Sequence, residues 1–319
     1  MPDARVAELQ RARLLSAAVT AVDELGYVDT TVADVTGRAR VSRRTFYEQF
    51  ANRDECLVAV FDDAVASVSR ELARADIAAG EWSERIRAGL SVLLSFLDRE
   101  PALARACVVE AARGGSLLLE RRERVLARLA ASVDDGRKEL ARGLAVTSLT
   151  AEGVVGAALA IVHARLARRD RRPLTGLVNE LMGMIVLPYL GPAAARRELR
   201  RPTPSAGRQA PPAAEIATPA GRDPLEGVPM RLTYRTVRVL EGVAQHPGAS
   251  NRQVAERAGV QDQGQISKLL MRLQRIGLLA NTGVGHARGE PNAWRLTPRG
   301  ERLADQLRLK TTRDGREAA

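Results

Sequence analysis

The sequence predicts a mainly α protein with an all-helical head and core, a flexible linker, and a small α+β domain at the far end. Three observations carry this. Apolar residues recur three and four apart from Val6 to about Leu199, the spacing that lines one face of a helix. Residues 201–228, RPTPSAGRQAPPAAEIATPAGRDPLEGV, lose all periodicity, and Pro, Ala and Gly dominate. Beyond them two strand-like runs, LLAN and AWRLT, flank a Gly-rich tip among helical stretches. The expected division is a head at 1–55, a helical domain at 56–200, the linker at 201–228 and a last domain at 229–319.

In the head, residues 5–26 read as a first helix, with Val6, Leu9, Leu14, Ala18 and Val22 at helical spacing and Gly26 as its stop. Thr31 is a good N-cap for a short second helix whose apolar positions are Val32 and Val35 and which stops near Ala39. Ser42 caps the next helix. There Phe46 and Phe50 lie four apart and face inward, which leaves Arg43, Arg44, Thr45, Tyr47 and Gln49 on the outer side and rim. These residue types suit DNA: Arg bonds guanine O6 and N7 in pairs, Thr offers a methyl and a hydroxyl to base edges, and Tyr or Gln can bond phosphate oxygens. At the following helix start Arg53 can clamp a phosphate, while Asp54 and Glu55 suit the positive end of the helix dipole. The plainer alternative is that Arg38, Arg40, Arg43 and Arg44 form an ordinary solvated face.

Through LLSAAVTAVDELGY, TTVADV, ARVS, TFYEQF and NRDECL this stretch resembles the TetR family of bacterial transcription regulators. The resemblance implies that the Ser42 to Phe50 helix enters the major groove, that Tyr47 touches the DNA backbone, and that Arg53 stands where the family has a phosphate-binding Lys. Two positions depart from the pattern. Arg40 occupies a turn position that is usually Gly, so it must take a left-handed backbone or shift the turn. Gln49 replaces a usual His or Tyr.

From Asn52 a long connector helix runs to about Asp76, and residues 81–199 are helical throughout. Trp82 to Leu97 is amphipathic; Pro101 opens a short helix ending at Gly114 and Gly115; Ser116 to Gly143 forms a long charged helix. Thr150 caps Ala151 to Arg169, and Pro173 opens the last helix. Small residues beside broad apolar faces in GVVGAALAIVHARLA and GLVNELMGMIVL make residues 151–190 the expected homodimer seam; the plainer alternative is that both helices are simply core. The resemblance implies the same seam, as a four-helix bundle. It also implies a small-molecule effector pocket, for which Leu90, Leu93, Leu94, Leu97, Cys107, Val108 and Val109 are candidate lining, with His163 as a polar anchor. Aromatic residues make up only 3% of the chain, so such a pocket is aliphatic and favours a greasy ligand.

After the linker, Leu232 to Gln245 reads as a helix, Ser250 caps NRQVAERA, Gly259 makes a turn, and QGQISKLLMRLQRIG is a second helix ending at Gly277. A hairpin and a closing helix at Pro298 complete a winged helix-turn-helix, which resembles MarR-type regulators in ISKLLMRLQRIGLL and LTPRGERL. Its core-facing residues are Ile266, Leu269, Leu270 and Leu273, which leaves Gln263, Gln265, Ser267, Lys268 and Arg272 for groove and phosphate and Arg288 at the wing. A module that grips a protein is the alternative. The net charge of +11 favours a polyanionic partner, and its distribution is informative: 229–319 holds 16 basic against 8 acidic residues, whereas 1–55 holds 8 against 9.

Enzyme chemistry is the weakest class. His163, His246 and His286, with Cys56 and Cys107, lack metal-ligand spacing, and no nucleophile elbow or phosphate loop occurs, so no cofactor is expected. No uninterrupted apolar run comes near the length of a bilayer span, and the N-terminus lacks a signal-peptide core, so cytoplasmic residence is expected. The sequence thus reads as a homodimeric, ligand-responsive regulator of transcription that binds double-stranded DNA. A nucleoid-type protein without sequence preference is the rival within the same chemistry.

Overall fold

The computed structural model describes residues 2–75, 80–141, 144–147, 149–202, 233–283 and 292–305. The chain is mainly helical, with one small antiparallel sheet near its C-terminus. It divides into two compact units: Leu14–Arg38 with Phe46–Arg222, and Met1–Arg13 with Ala39–Thr45 and Asp223–Ala319.

The first helix, α1 (Pro2–Leu25), ends where Gly26 takes a left-handed φ of 84°. Helix α2 (Val32–Ala39) begins at Thr31, whose hydroxyl and backbone amide both donate to Asp34, at 2.5 and 3.0 Å, while the Asp34 amide donates back to the hydroxyl. Helix α3 (Arg43–Gln49) follows a three-residue turn in which Arg40 takes φ 52°, so the left-handed alternative is the one the chain adopts. Helix α4 (Arg53–Arg74) is capped by Asn52, which accepts from the Glu55 amide.

Helix α5 (Trp82–Arg99) starts on a fully buried Trp82 whose indole N–H donates to the Ser132 carbonyl at 3.1 Å and whose ring lies 5.1 Å from that of Tyr189. Helix α6 (Pro101–Val108) is followed by a 3-10 turn at Glu110–Arg113 and then by α7 (Ser116–Asp134). The expected continuation of α7 to Gly143 does not occur; Asp135–Glu139 is a tighter 3-10 segment. Gly136 explains the change, because a Cβ there would lie 2.7 Å from the Trp82 ring, and only a glycine lets the backbone pass so close.

Helix α8 (Leu149–Ala167) and α9 (Val178–Arg200) form the end of this unit. A 3-10 turn at Leu174–Leu177 precedes α9 and is held by Asp98, which accepts from the Leu174 and Thr175 amides at 2.7 and 3.0 Å. Helix α9 kinks at Gly191 (φ 78°) between Pro188 and Pro192. Beyond the kink, Glu198 accepts from Arg87 of α5 at 2.8 Å in a nearly buried pair, with Asn179 completing the guanidinium's partners.

Both α8 and the stretch Leu174–Arg200 are long and apolar enough, by length and composition, to cross a bilayer. This corrects the count from uninterrupted runs, which Glu152, His163, Asn179 and Glu180 interrupt without removing the apolar character. Most of the α9 stretch is instead buried against protein.

In the second unit, α10 (Tyr234–Gln245), α11 (Asn251–Ala258) and α12 (Gln263–Arg275) pack around Leu240, Val254, Ile266, Leu270 and Leu273. Ser250 and Gln253 form a reciprocal capping box at the start of α11, and Gly259 ends it at φ 66°. Asp262 caps α12. Strands β1 (Leu279–Asn281) and β2 (Trp294–Leu296) pair antiparallel with Leu279 opposite Leu296, and residues 298–305 begin the closing helix. The expected linker falls almost wholly outside the described residues, as does the hairpin tip with Arg288.

Candidate nucleic-acid interface

Helix α3 carries the candidate contact surface. Ser42 accepts from the Thr45 amide at 3.0 Å, and their hydroxyls lie 2.8 Å apart, which fixes the first turn. Phe46 and Phe50 are buried, with ring centroids 5.5 Å apart, and they anchor one side of the helix. Because that side is anchored, the opposite one is set: Arg43 and Arg44 are exposed, Tyr47 is 57% exposed, and Thr45 and Gln49 sit at the rim. Thr31 is exposed, although its hydroxyl is engaged in the cap with Asp34, and those hydrogen bonds hold the Asp34 carboxyl below its usual range. Arg38 is not a plain solvated charge, since it pairs with Glu24 at 2.6 Å and reaches Asp34.

Arg53 has a different setting from the one expected. Its guanidinium donates to the carbonyls of Tyr27, Val28 and Thr30 at 3.3, 3.1 and 2.9 Å and to Asp54 at 3.0 and 2.9 Å, with its carbon 4.9 Å from the centre of the Tyr27 ring. Most of its five N–H donors are thereby engaged, and little capacity is left for a phosphate.

This arrangement exposes a junction that sequence reasoning missed. The Tyr27 hydroxyl donates to Asp54 at 2.9 Å and accepts from the Gly115 amide at 3.3 Å, and the Tyr27 amide donates to Glu110 at 2.9 Å. Burial pushes the Tyr27 phenol up, against the opposing pull of the Gly115 N–H. Asp23 pairs with Arg105 of α6, one N–H bond measuring 2.7 Å, and accepts from Arg169. The turn after α1 is thus tied to α4, α6 and the start of α7. A tyrosine directly after a helix-stopping glycine was the available signal; its partners lie too far away in sequence to be read.

A small cavity lies under the same junction. Val19, Val22 and Tyr27 line it from one side, Leu57, Val60 and Phe61 from α4, and Ala106, Cys107, Ala111 and Leu118 from the other. It encloses about 10 Å³, room for about one water. Of the expected pocket residues only Cys107 lines it, and burial pushes its thiol up to about 12. Leu94 and Leu97 are buried core residues, while Leu90, Leu93, Val108, Val109 and His163 are half-buried elsewhere.

On α12, Gln263, Gln265, Lys268 and Arg272 are exposed and Ser267 is half-buried, while Ile266, Leu270 and Leu273 are fully buried and Leu269 packs against the core from the edge. Arg235 of α10 donates to Gln265. Ser250 is engaged in its capping box. Among the described residues, no group of three or more His, Cys, Asp or Glu is placed to hold a metal ion.

Residues 14–60, which include α3, match the family described as bacterial regulatory proteins, tetR family. Among solved structures, the fatty acid degradation regulator FadR from Bacillus halodurans is 18% identical, with a TM-score of 0.49 over 55% of this chain and 94% of that one. FadR from Bacillus subtilis, solved with stearoyl-CoA, is 20% identical, with a TM-score of 0.47 over 56% and 97%. A TetR-like transcriptional regulator from Rhodococcus sp. is also 20% identical, with a TM-score of 0.44 over 56% and 94%. Comparison with curated proteins gave no match.

Proposed function

We propose that the chain is a ligand-responsive, sequence-specific transcription regulator, a repressor acting as a homodimer through residues 151–190, with a second, winged-helix DNA reader at 229–319. The observation that carries the reading is the side chain division of α3, with two phenylalanines inside and Arg43, Arg44, Thr45 and Tyr47 turned outward. A twofold dimer demands two similar half-sites, so its DNA site is roughly palindromic. Footprinting against an excess of random competitor DNA tests this. A protected palindrome supports the reading, and uniform weak protection would instead favour a nucleoid-type protein.

The dimer seam is supported by α8, where Leu149, Gly153, Gly156, Ala157, Ala160 and Ile161 are exposed along one side, with Glu152 beside them near its N-terminal end. Nothing within 4 Å would meet a Cβ at Gly153 or Gly156, so a partner helix can approach closely there. The cavity supports the ligand response. Its lining is almost wholly apolar, and an apolar ligand that enlarged it would part α6 and α7 from α4, pulling on the Tyr27 bonds to Gly115 and Glu110 that anchor the head.

A further inference from the structure

We propose that the carboxylate of Asp23, held by Arg105 and by Arg169, fixes the head against the end of α8 and thereby sets the one half-site spacing that the dimer accepts on DNA. This rests on the dimeric DNA-binding reading above and deepens it by naming the positioning residues. The joint lies inside one compact unit, which holds α1 from Leu14, α2 to Arg38, α3 from Phe46, and the helices α4 to α9.

Asp23 stands in the last turn of α1. Arg105 of α6 grips it as a fork, Nε to Oδ1 and Nη2 to Oδ2, the second at 2.7 Å, and the Asp23 and Arg105 side chains are only 17% and 18% exposed. Arg169 Nη2 donates to the Asp23 carbonyl at 2.8 Å and reaches Oδ1 at 3.4 Å, so it also serves one of the carbonyls that a helix end leaves open. The backbone of Arg169 points the same way. Helix α8 ends at Ala167, the Arg169 amide donates to Leu166 and the Asp170 amide to Arg165, and Arg169 takes φ 52° at the place where such an ending favours glycine. A glycine would end α8 there without strain; what the arginine adds is its guanidinium on Asp23. Arg105 precedes Ala106 and Cys107 of the cavity, so a single carboxylate joins the cavity helix, the seam helix and the head. Moving a half-site by one base pair shifts it about 3.4 Å along the duplex and about 35° around it, which a head tied on two sides cannot follow.

The test compares the full chain with Arg169→Gly and Asp23→Ala, by selection of bound fragments from a random duplex pool and by sedimentation. Arg169→Gly keeps the left-handed ending of α8 and removes only the tie, so fold and dimer are retained. The wild type enriches two half-sites at one spacing. Arg169→Gly enriches the same half-sites at that spacing and at its neighbours, with about tenfold weaker binding to the wild-type site, and Asp23→Ala, which loses both ties, accepts a range at least as wide. One unchanged spacing in both variants, whatever happens to their unfolding midpoints, is what a merely stabilising joint would give; it overturns the proposal and leaves the dimeric reading standing. A wild type that selects no paired half-sites overturns the reading itself, so the two failures are distinguishable.

Discussion

Arg40 holds a left-handed backbone at φ 52° in the turn between α2 and α3, a conformation that costs a side-chain-bearing residue about 1 kcal/mol relative to glycine. Arg40→Gly is therefore expected to raise the unfolding free energy by about 0.5–1 kcal/mol, part of the gain being offset by the freer unfolded chain, as urea titration would register. Cys107 supplies a second residue-scale prediction. With its thiol held to about 12 against an ordinary 9.0, its thiolate fraction near pH 8 is about a thousandfold below that of a free cysteine, and alkylation there should be slower in proportion. The thiol ionises only as pH rises through its folded value, so the labelling rate keeps climbing above pH 9, where a free thiol would level off. The strain at Arg40 and the caps at Thr31 and Ser42 were legible because each depends on neighbours within four residues. The role of Arg53 was not, because its partners at Tyr27, Val28 and Thr30 are set by how the turn after α1 folds back.

At the scale of elements, periodicity placed most of the helices, and where it failed the cause was contact between distant segments. The period runs on past Asp134, yet α7 stops there because the backbone at Gly136 must pass over Trp82. The candidate pocket residues on α5 follow a real apolar stripe, but Leu94 and Leu97 use it to fill the core, and the cavity forms where α1, α4, α6 and α7 converge. Such convergence leaves no mark in any single helix. For α8 the sequence displays small residues beside an apolar stripe, and the structure leaves Gly153, Gly156, Ala157 and Ala160 exposed on one face beside Glu152. Gly156→Glu adds a second charge to that stripe, four residues from Glu152, at a position where a Cβ meets nothing within 4 Å, so the monomer should keep its fold while the dimer weakens by about a hundredfold or more, as sedimentation at graded concentrations would show. Unchanged association would place the seam elsewhere.

For the whole molecule, the balance of charge decides what each half contributes. The head is close to neutral, whereas residues 229–319 hold 16 basic against 8 acidic residues. Deleting residues 201–319 is expected to weaken DNA binding and to flatten its dependence on salt, since the slope counts the phosphates neutralised. Tighter binding after deletion would instead mark the tail as an inhibitor. Both outcomes concern how strongly the protein binds, while sequence preference depends on α3. The most direct measurement is the selection of bound fragments from random double-stranded DNA by the wild type and by Arg44→Ala. The account predicts that the wild type enriches a palindromic site and that Arg44→Ala, still folded and dimeric, loses about 1–3 kcal/mol of discrimination at symmetry-related positions of that site. No enriched site for the wild type, or an identical site at identical strength for Arg44→Ala, would contradict it.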